Sequence, residues 1–242
     1  YLKYNKDRYL FLSSGVLAFL YATKETAYIV TAIFAAFLLV VTAPEILAAI
    51  FRRVKLSDFG PASSCLLLLT TLMLPQWSAI IGIVQGPLGV ILVNGDGALG
   101  LIGWPIGTGI FWAVGIVLVT SILSIAIGLR WRWKTWLLCA VIFYVIWATL
   151  YTTFFTNIGG LFTGIWQGLG YWVAQQDVAR GGQPWYYYFV TGSVYELLPI
   201  LFSLLAIFYY LRRLDILGAF LVFWSISTFI AYTYAGEKMP WL

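Results

Sequence analysis

The chain alternates long apolar stretches with short polar interruptions, and most of the stretches run past 18 residues. Charged residues and Pro/Gly-rich punctuation divide them into seven, at positions 9–22, 27–51, 64–85, 105–129, 135–156, 186–211 and 216–234. A helix needs about 20 apolar residues to cross a bilayer, and every backbone polar group inside lipid has to be satisfied within the segment. The pattern therefore predicts an all-α fold: a polytopic integral membrane helix bundle of about seven transmembrane helices. The first stretch has only 14 residues. Either it continues through Thr23 and Lys24 with the basic end snorkelling to the interface, or it begins in the charged segment before Tyr9.

Composition agrees with this reading. Of 242 residues, 62% are hydrophobic and 10% charged, against roughly 25% charged in a soluble domain. Little length remains for a soluble domain, and the expectation is a single transmembrane module over 1–242. Histidine is absent from the sequence, which excludes histidine-ligated haem or chlorophyll, the common zinc sites and a Ser-His-Asp triad. Cys65 and Cys139 lie inside apolar runs and read as buried thiols.

Loop charge supplies a direction. Lys3, Lys6 and Arg8 precede the first stretch, and Arg52, Arg53 and Lys55 follow the second. Arg130, Arg132 and Lys134 follow the fourth, and Arg212 and Arg213 follow the sixth. Eleven of the 14 basic residues thus fall on alternate loops. The positive-inside rule places the start of the chain in the cytoplasm and its end outside the cell.

The opposite loops differ. Residues 157–185 contain an interfacial helix before the sixth span, because Leu161, Ile165, Trp166, Leu169, Trp172 and Val173 recur at helical spacing. Gly181 and Gly182 end it, and Pro184 opens the next span. Residues 86–104, with the turn Asn94-Gly95-Asp96-Gly97, read as a plain connector, a hairpin or a re-entrant loop.

Three basic residues remain for the outer side, each with an acid nearby: Lys24 with Glu25, Arg180 with Asp177, and Lys238 with Glu237. They are either local ion pairs anchoring the interface or parts of one pocket in which cations bind phosphate and an acid assists chemistry. Glu196 stands ten residues into the sixth stretch, roughly 15 Å along a continuous helix, and so is expected near the bilayer midplane. An ionisable group there faces a cavity or is hydrogen-bonded among helices. Glu45 is less informative, because it lies beside Pro44 toward the cytoplasmic end of its span and can reach the headgroups. Trp185, Tyr186, Tyr187 and Tyr188 form an aromatic belt, whose faces would also stack on sugar rings. Trp131, Trp133 and Trp136 among Arg130, Arg132 and Lys134 read as a cytoplasmic belt with snorkelling cations. Nothing calls for a nucleic-acid partner.

Several strings are more specific. The runs Gln183-Pro184-Trp185-Tyr186-Tyr187-Tyr188, preceded by Tyr171-Trp172-Val173-Ala174-Gln175-Gln176-Asp177-Val178-Ala179-Arg180-Gly181-Gly182, then Tyr195-Glu196 and Gly236-Glu237-Lys238-Met239-Pro240-Trp241-Leu242, resemble a family of prokaryotic multi-pass proteins. That family is described as flippase-activity-associated or glycosyltransferase family 39-like. Thr23-Lys24-Glu25-Thr26 resembles its upstream landmark. The resemblance implies the GT-C architecture, in which a sugar passes from a polyprenyl-phosphate donor to an acceptor on the extracytoplasmic side of a prokaryotic cell membrane. It implies, too, that the acidic catalytic motif belongs to a loop preceding Tyr1, so that the chain is expected to be a fragment lacking its catalytic front end. Paired Asp or Glu in an outer loop ahead of Tyr1 would favour the enzyme.

By the same resemblance, Lys24 corresponds to a lysine near the donor phosphate, with Arg180 and Lys238 as further cations. Glu25, Asp177, Trp185, Glu196 and Glu237 complete the candidate substrate-binding set. The catalytic residue is not among them. No cofactor is evident, and no residue here supports the divalent metal that such chemistry could use. Expected partners are membrane lipid, a polyprenyl-phosphate-linked sugar and other membrane subunits. The competing functions are a non-catalytic structural or accessory subunit of a larger membrane complex, and a lipid-linked sugar transporter. Fold alone does not choose among them.

Overall fold

The computed structural model describes residues 1–2, 4–52, 55–176, 183–213 and 215–234. Among these the chain is all-helical apart from one isolated antiparallel bridge, between Ile91 and Ile106. Ala27–Ala48, Gly109–Tyr151 and Ile216–Tyr234 are long and apolar enough to cross a membrane, and two bent helix pairs raise the count to five. Phe111, Leu118, Ile122, Val141 and Val145 along the longest of these are half or more exposed. A helix apolar all round and bare on its outer face is one that lipid solvates, so this is an integral membrane protein.

The chain forms two compact units, Tyr1–Ala174 and Gln175–Leu242. In the first, α1 (Arg8–Thr23), α2 (Ala27–Arg52), α3 (Pro61–Met73) and α5 (Gly109–Tyr151) make the bundle. Continuous helix through α5 would be about 65 Å long, twice the hydrocarbon thickness of a bilayer. Arg132 interrupts it, with φ −147° and ψ 80°. Two antiparallel arms result, as the charged cluster at 130–134 leads one to expect. Gly128 on the first arm lies against the indole of Trp136 on the second. That indole donates to Thr71 Oγ1 (2.9 Å) on α3, and Ser124 Oγ donates to the Thr71 carbonyl.

The kink is held at its outer edge. Asp7, just before α1, accepts two hydrogen bonds from the Arg132 guanidinium, at 2.9 and 2.6 Å, and a third from Thr135 Oγ1 (3.2 Å). These bonds hold the guanidinium still further above its already high pKa. Glu45 is half-buried and hydrogen-bonded within the protein. Its carboxylate accepts from the Gly60 N–H (2.7 Å) and from the Ser63 hydroxyl, which places a negative charge on the first turn of α3. There the unpaired N–H groups and the helix dipole favour it.

The third stretch is not one straight helix. Pro75 lacks the N–H that would continue the ladder, and α3 passes into a 3-10 segment, Ser78–Val84, at 75°. A short α4 (Gln85–Leu88) follows. Residues 89–108 then fold as an irregular hairpin whose missing ladder bonds are made by two amides. Gln85 accepts from the N–H groups of Leu92 and Val93 and donates to the Val93 carbonyl (2.9, 2.8 and 3.0 Å). Buried Asn94 donates to the carbonyl of Asp96 at 2.8 Å and accepts from its N–H at 3.0 Å. The loop is therefore more than a connector.

The helix expected within 157–185 forms at 160–174, as α6 (Gly160–Phe162), a π-turn (Thr163–Gln167) and α7 (Gly168–Ala174). Its apolar face meets protein: Trp166 and Leu169 are buried, and the Trp166 indole donates to the Leu92 carbonyl (3.1 Å). Gly103, at φ +79°, touches the backbone of Gly170 and Tyr171, an approach that no side chain permits.

The second unit contains α8 (Tyr187–Tyr195), α9 (Leu197–Arg213) and α10 (Ile216–Tyr234). Arg212 and Arg213 lie over the rings of Phe208 and Tyr209 (4.2 and 4.9 Å) in the last turn of α9, where cations suit the dipole. Asp215 precedes α10 and accepts from the Gly218 N–H (3.4 Å). Phe189 and Phe229 meet edge to face at 4.7 Å, bracing α8 on α10. The sixth stretch differs from its expectation: α8 and α9 meet at 102°, with Glu196 at the break. Pro199 explains the break, since neither its ring nor its missing N–H can continue a helix from residue 195.

Candidate functional site

Lys24 and Glu25 occupy the turn between two apolar helices. α1 stops because Lys24 adopts extended backbone, φ −158° and ψ 145°, and the chain re-enters helix when Ala27 and Tyr28 donate to the carbonyls of Lys24 and Glu25 (3.0 and 3.1 Å). Both side chains are exposed, and they form no ion pair with each other. The local pairing expected from their adjacency is not made, so the Lys24 ammonium has no carboxylate partner among the described residues.

A fixed aromatic platform lies beneath this turn. Tyr21 and Tyr28 stand three residues to either side of it and meet edge to face, with ring centroids 5.0 Å apart. Trp77 packs on Tyr28 at 6.0 Å and donates its indole N–H to Tyr21 Oη (3.0 Å). Thr31 spends its proton on the Ala27 carbonyl (2.6 Å), so the 3.0 Å bond between Tyr21 and Thr31 has the tyrosine as donor. Tyr151 Oη donates to the Tyr21 carbonyl (2.7 Å), one of the acceptors that the end of α1 leaves open. Three helices and the Pro75 break are thereby tied to one turn.

The Tyr28 hydroxyl is different. It is buried and approaches the backbone of Leu169 without completing a hydrogen bond. Gly168 lies beside it, where an added Cβ would stand 3.2 Å from the oxygen. The π-turn before Gly168 sets that contact, and π-turns within helices often occur at functional sites.

The remaining candidates are distributed otherwise. Trp185 and Glu196 belong to the second unit. Trp185 is 67% exposed and packs edge to face on Tyr186 and Phe189. Glu196 is exposed at the α8–α9 break, not ten residues inside a continuous span. Eleven residues, most of them helical, separate the two by roughly 16 Å, so they do not share one contact. Asp177, Arg180, Glu237 and Lys238 lie outside the described residues. Among the described residues, no three His, Cys, Asp or Glu side chains gather as a metal site.

Sequence reasoning found the Lys24–Glu25 turn through the scarcity of charge but missed the platform. A partial signal existed, since tyrosines flank the turn symmetrically at three residues. Trp77 and Tyr151 carry no such sign, because their part depends on contacts across 56 and 130 positions. Chemically, the arrangement offers an exposed ammonium at the junction of two apolar helices, on a base whose hydrogen bonds, the Tyr28 hydroxyl apart, are already spent. Comparison with family models, with curated proteins and with solved structures returns no match.

Proposed function

We propose that the chain is a GT-C-like membrane glycosyltransferase module, which handles a sugar carried on polyprenyl phosphate at the extracytoplasmic face of a prokaryotic cell membrane. The observation that carries this reading is Lys24: a cation without a carboxylate partner among the described residues, held on a rigid turn where two apolar helices end. The landmark strings around Lys24, Trp185, Glu196 and Lys238 support it. On this reading the chain crosses the membrane seven times, by α1, α2, bent α3, the two arms of α5, the α8–α9 pair and α10. The Arg132 end faces the cytoplasm, and the 160–174 helix lies at the outer interface.

The proposed chemistry follows from charge. As the glycosidic bond breaks, the departing polyprenyl phosphate gains negative charge, and an oriented ammonium in a partly dehydrated setting lowers that barrier. Lys24 would hold the phosphate, with Arg180 and Lys238 assisting. Glu25, Asp177 and Glu237 would take sugar hydroxyls, and Trp185 would stack on the ring. We assign no general base within these residues.

The test is to reconstitute the full-length protein in vesicles with a polyprenyl-phosphate-linked sugar and to measure lipid binding and sugar transfer for wild type and Lys24→Gln. Binding should fall at least tenfold in the variant, with transfer lost alongside it. Equal binding by both proteins refutes the assignment of Lys24. Binding without transfer would indicate an accessory subunit, and movement of the intact lipid-linked sugar across the vesicle a transporter.

A further inference from the structure

The two arms of α5 do not close on each other along their whole length. Beyond Gly128 and Trp136 lies an open groove of about 600 Å³, lined by Ile125 and Leu129 on one arm and by Trp136, Ala140, Tyr144 and Ala148 on the other. No polar atom surface faces into it. Along the second arm its lining runs from Trp136 to Ala148, about 18 Å at helical rise and close to one leaflet's hydrocarbon, roughly 15 Å, while Ile125 and Leu129 wall one turn of it.

Charge adjoins its lining in sequence. Arg130 directly follows the lining residue Leu129, and Lys134 stands two residues before Trp136. Both are exposed, and neither has a carboxylate partner among the described residues. Their neighbour Arg132 is already neutralised by Asp7. Lys134 rests over the ring of Trp133 at 5.4 Å. The site thus pairs an open apolar groove with two cations that adjoin its lining in sequence and have no carboxylate partner among the described residues. Lipid around a bare helix needs only the groove. Two unpaired cations beside it select among headgroups, because basic pockets between transmembrane helices attract anionic lipids.

We infer that the α5 groove is a binding site for an anionic glycerophospholipid, with one acyl chain between the arms and the phosphate between Arg130 and Lys134. The site lies within the first unit and stands apart from the Lys24 turn. It does not depend on the sugar-transfer reading.

The test uses the whole protein, purified in detergent and titrated with phosphatidylglycerol or phosphatidylcholine while bound lipid is counted by native mass spectrometry. Wild type should retain phosphatidylglycerol over phosphatidylcholine. Arg130→Gln with Lys134→Gln should lose that preference by about fivefold per cation removed, and the charge-preserving pair Arg130→Lys with Lys134→Arg should keep it. Ala140→Trp, which fills the groove, should abolish retention of both lipids while the protein still elutes as a single species. An unchanged preference in the double Gln variant, or retained lipid in Ala140→Trp, overturns the assignment. So does disulfide-linked dimer formation by Leu137→Cys with no lipid retained, since a second copy of the chain would then cover the groove.

Discussion

Gly128 gives the sharpest test of the packing, because two physical effects predict opposite signs for one substitution. A glycine in mid-helix costs about 1 kcal/mol relative to alanine, so Gly128→Ala ought to stabilise if the residue were only part of a helix. Its Cβ, however, would fall closer than 3.0 Å to the Trp136 indole, whose ring is buried and whose N–H is committed to Thr71. Overpacking of this kind costs about 1–3 kcal/mol. Moving the ring also forfeits its hydrogen bond to Thr71, about 0.5–1.5 kcal/mol. The net expectation is destabilisation by about 1–3 kcal/mol. Gly115 provides the control on the same arm, since a Cβ there meets nothing within 4 Å. Gly115→Ala should be neutral or stabilising by up to about 1 kcal/mol. Thermal loss of the monodisperse species, followed by size exclusion in one detergent, compares the two. At about 2–4 °C per kcal/mol for a chain of this size, Gly128→Ala should melt several degrees lower and Gly115→Ala no lower than wild type. If both variants melt alike, the antiparallel closure of the α5 arms on Trp136 is wrong.

Glu45→Gln keeps an acceptor for the Gly60 N–H but removes the charge at the start of α3, and should destabilise by about 1 kcal/mol. A Glu45 that merely touched headgroups would show no effect in detergent. Asp7→Asn breaks a two-pronged ion pair whose side chains are about one-third exposed. The loss should be no more than about 1 kcal/mol, and the gap from wild type should narrow at high salt; a salt-independent difference contradicts the pairing. Gly103→Ala combines a left-handed backbone, about 1–2 kcal/mol, with a collision against the backbone of Gly170 and Tyr171. Amide exchange across 89–108 and 160–174 should accelerate together, and protection unchanged in both segments would refute their contact.

The apolar runs and their charged loops were legible because both signals are local and summed over many residues. About 20 consecutive apolar positions leave a chain few options in lipid. The division of α5 at Arg132 was readable for the same reason. Pro75 and Pro199 were equally local, and both mark breaks that hydropathy alone passed over, since a hydropathy window counts a proline without registering its missing donor. Glu196 stands at the second of these breaks, at the end of α8, where hydropathy showed only one continuous stretch.

Residue order alone was enough to define a helical membrane protein, to locate most of its helices, and to single out Lys24 and Glu25 as scarce charges at a turn. What each polar group does emerged from the packing of the helices. Glu45 caps a helix start 15 residues away, Asp7 holds Arg132 across 125 positions, and Tyr151 completes the end of α1 across 130. A hydrogen bond depends on separations of about 3 Å, and nothing in residue order fixes those until the helices have packed. The groove beside the α5 arms belongs with them, since its walls come from two helices that meet at Gly128 and Trp136.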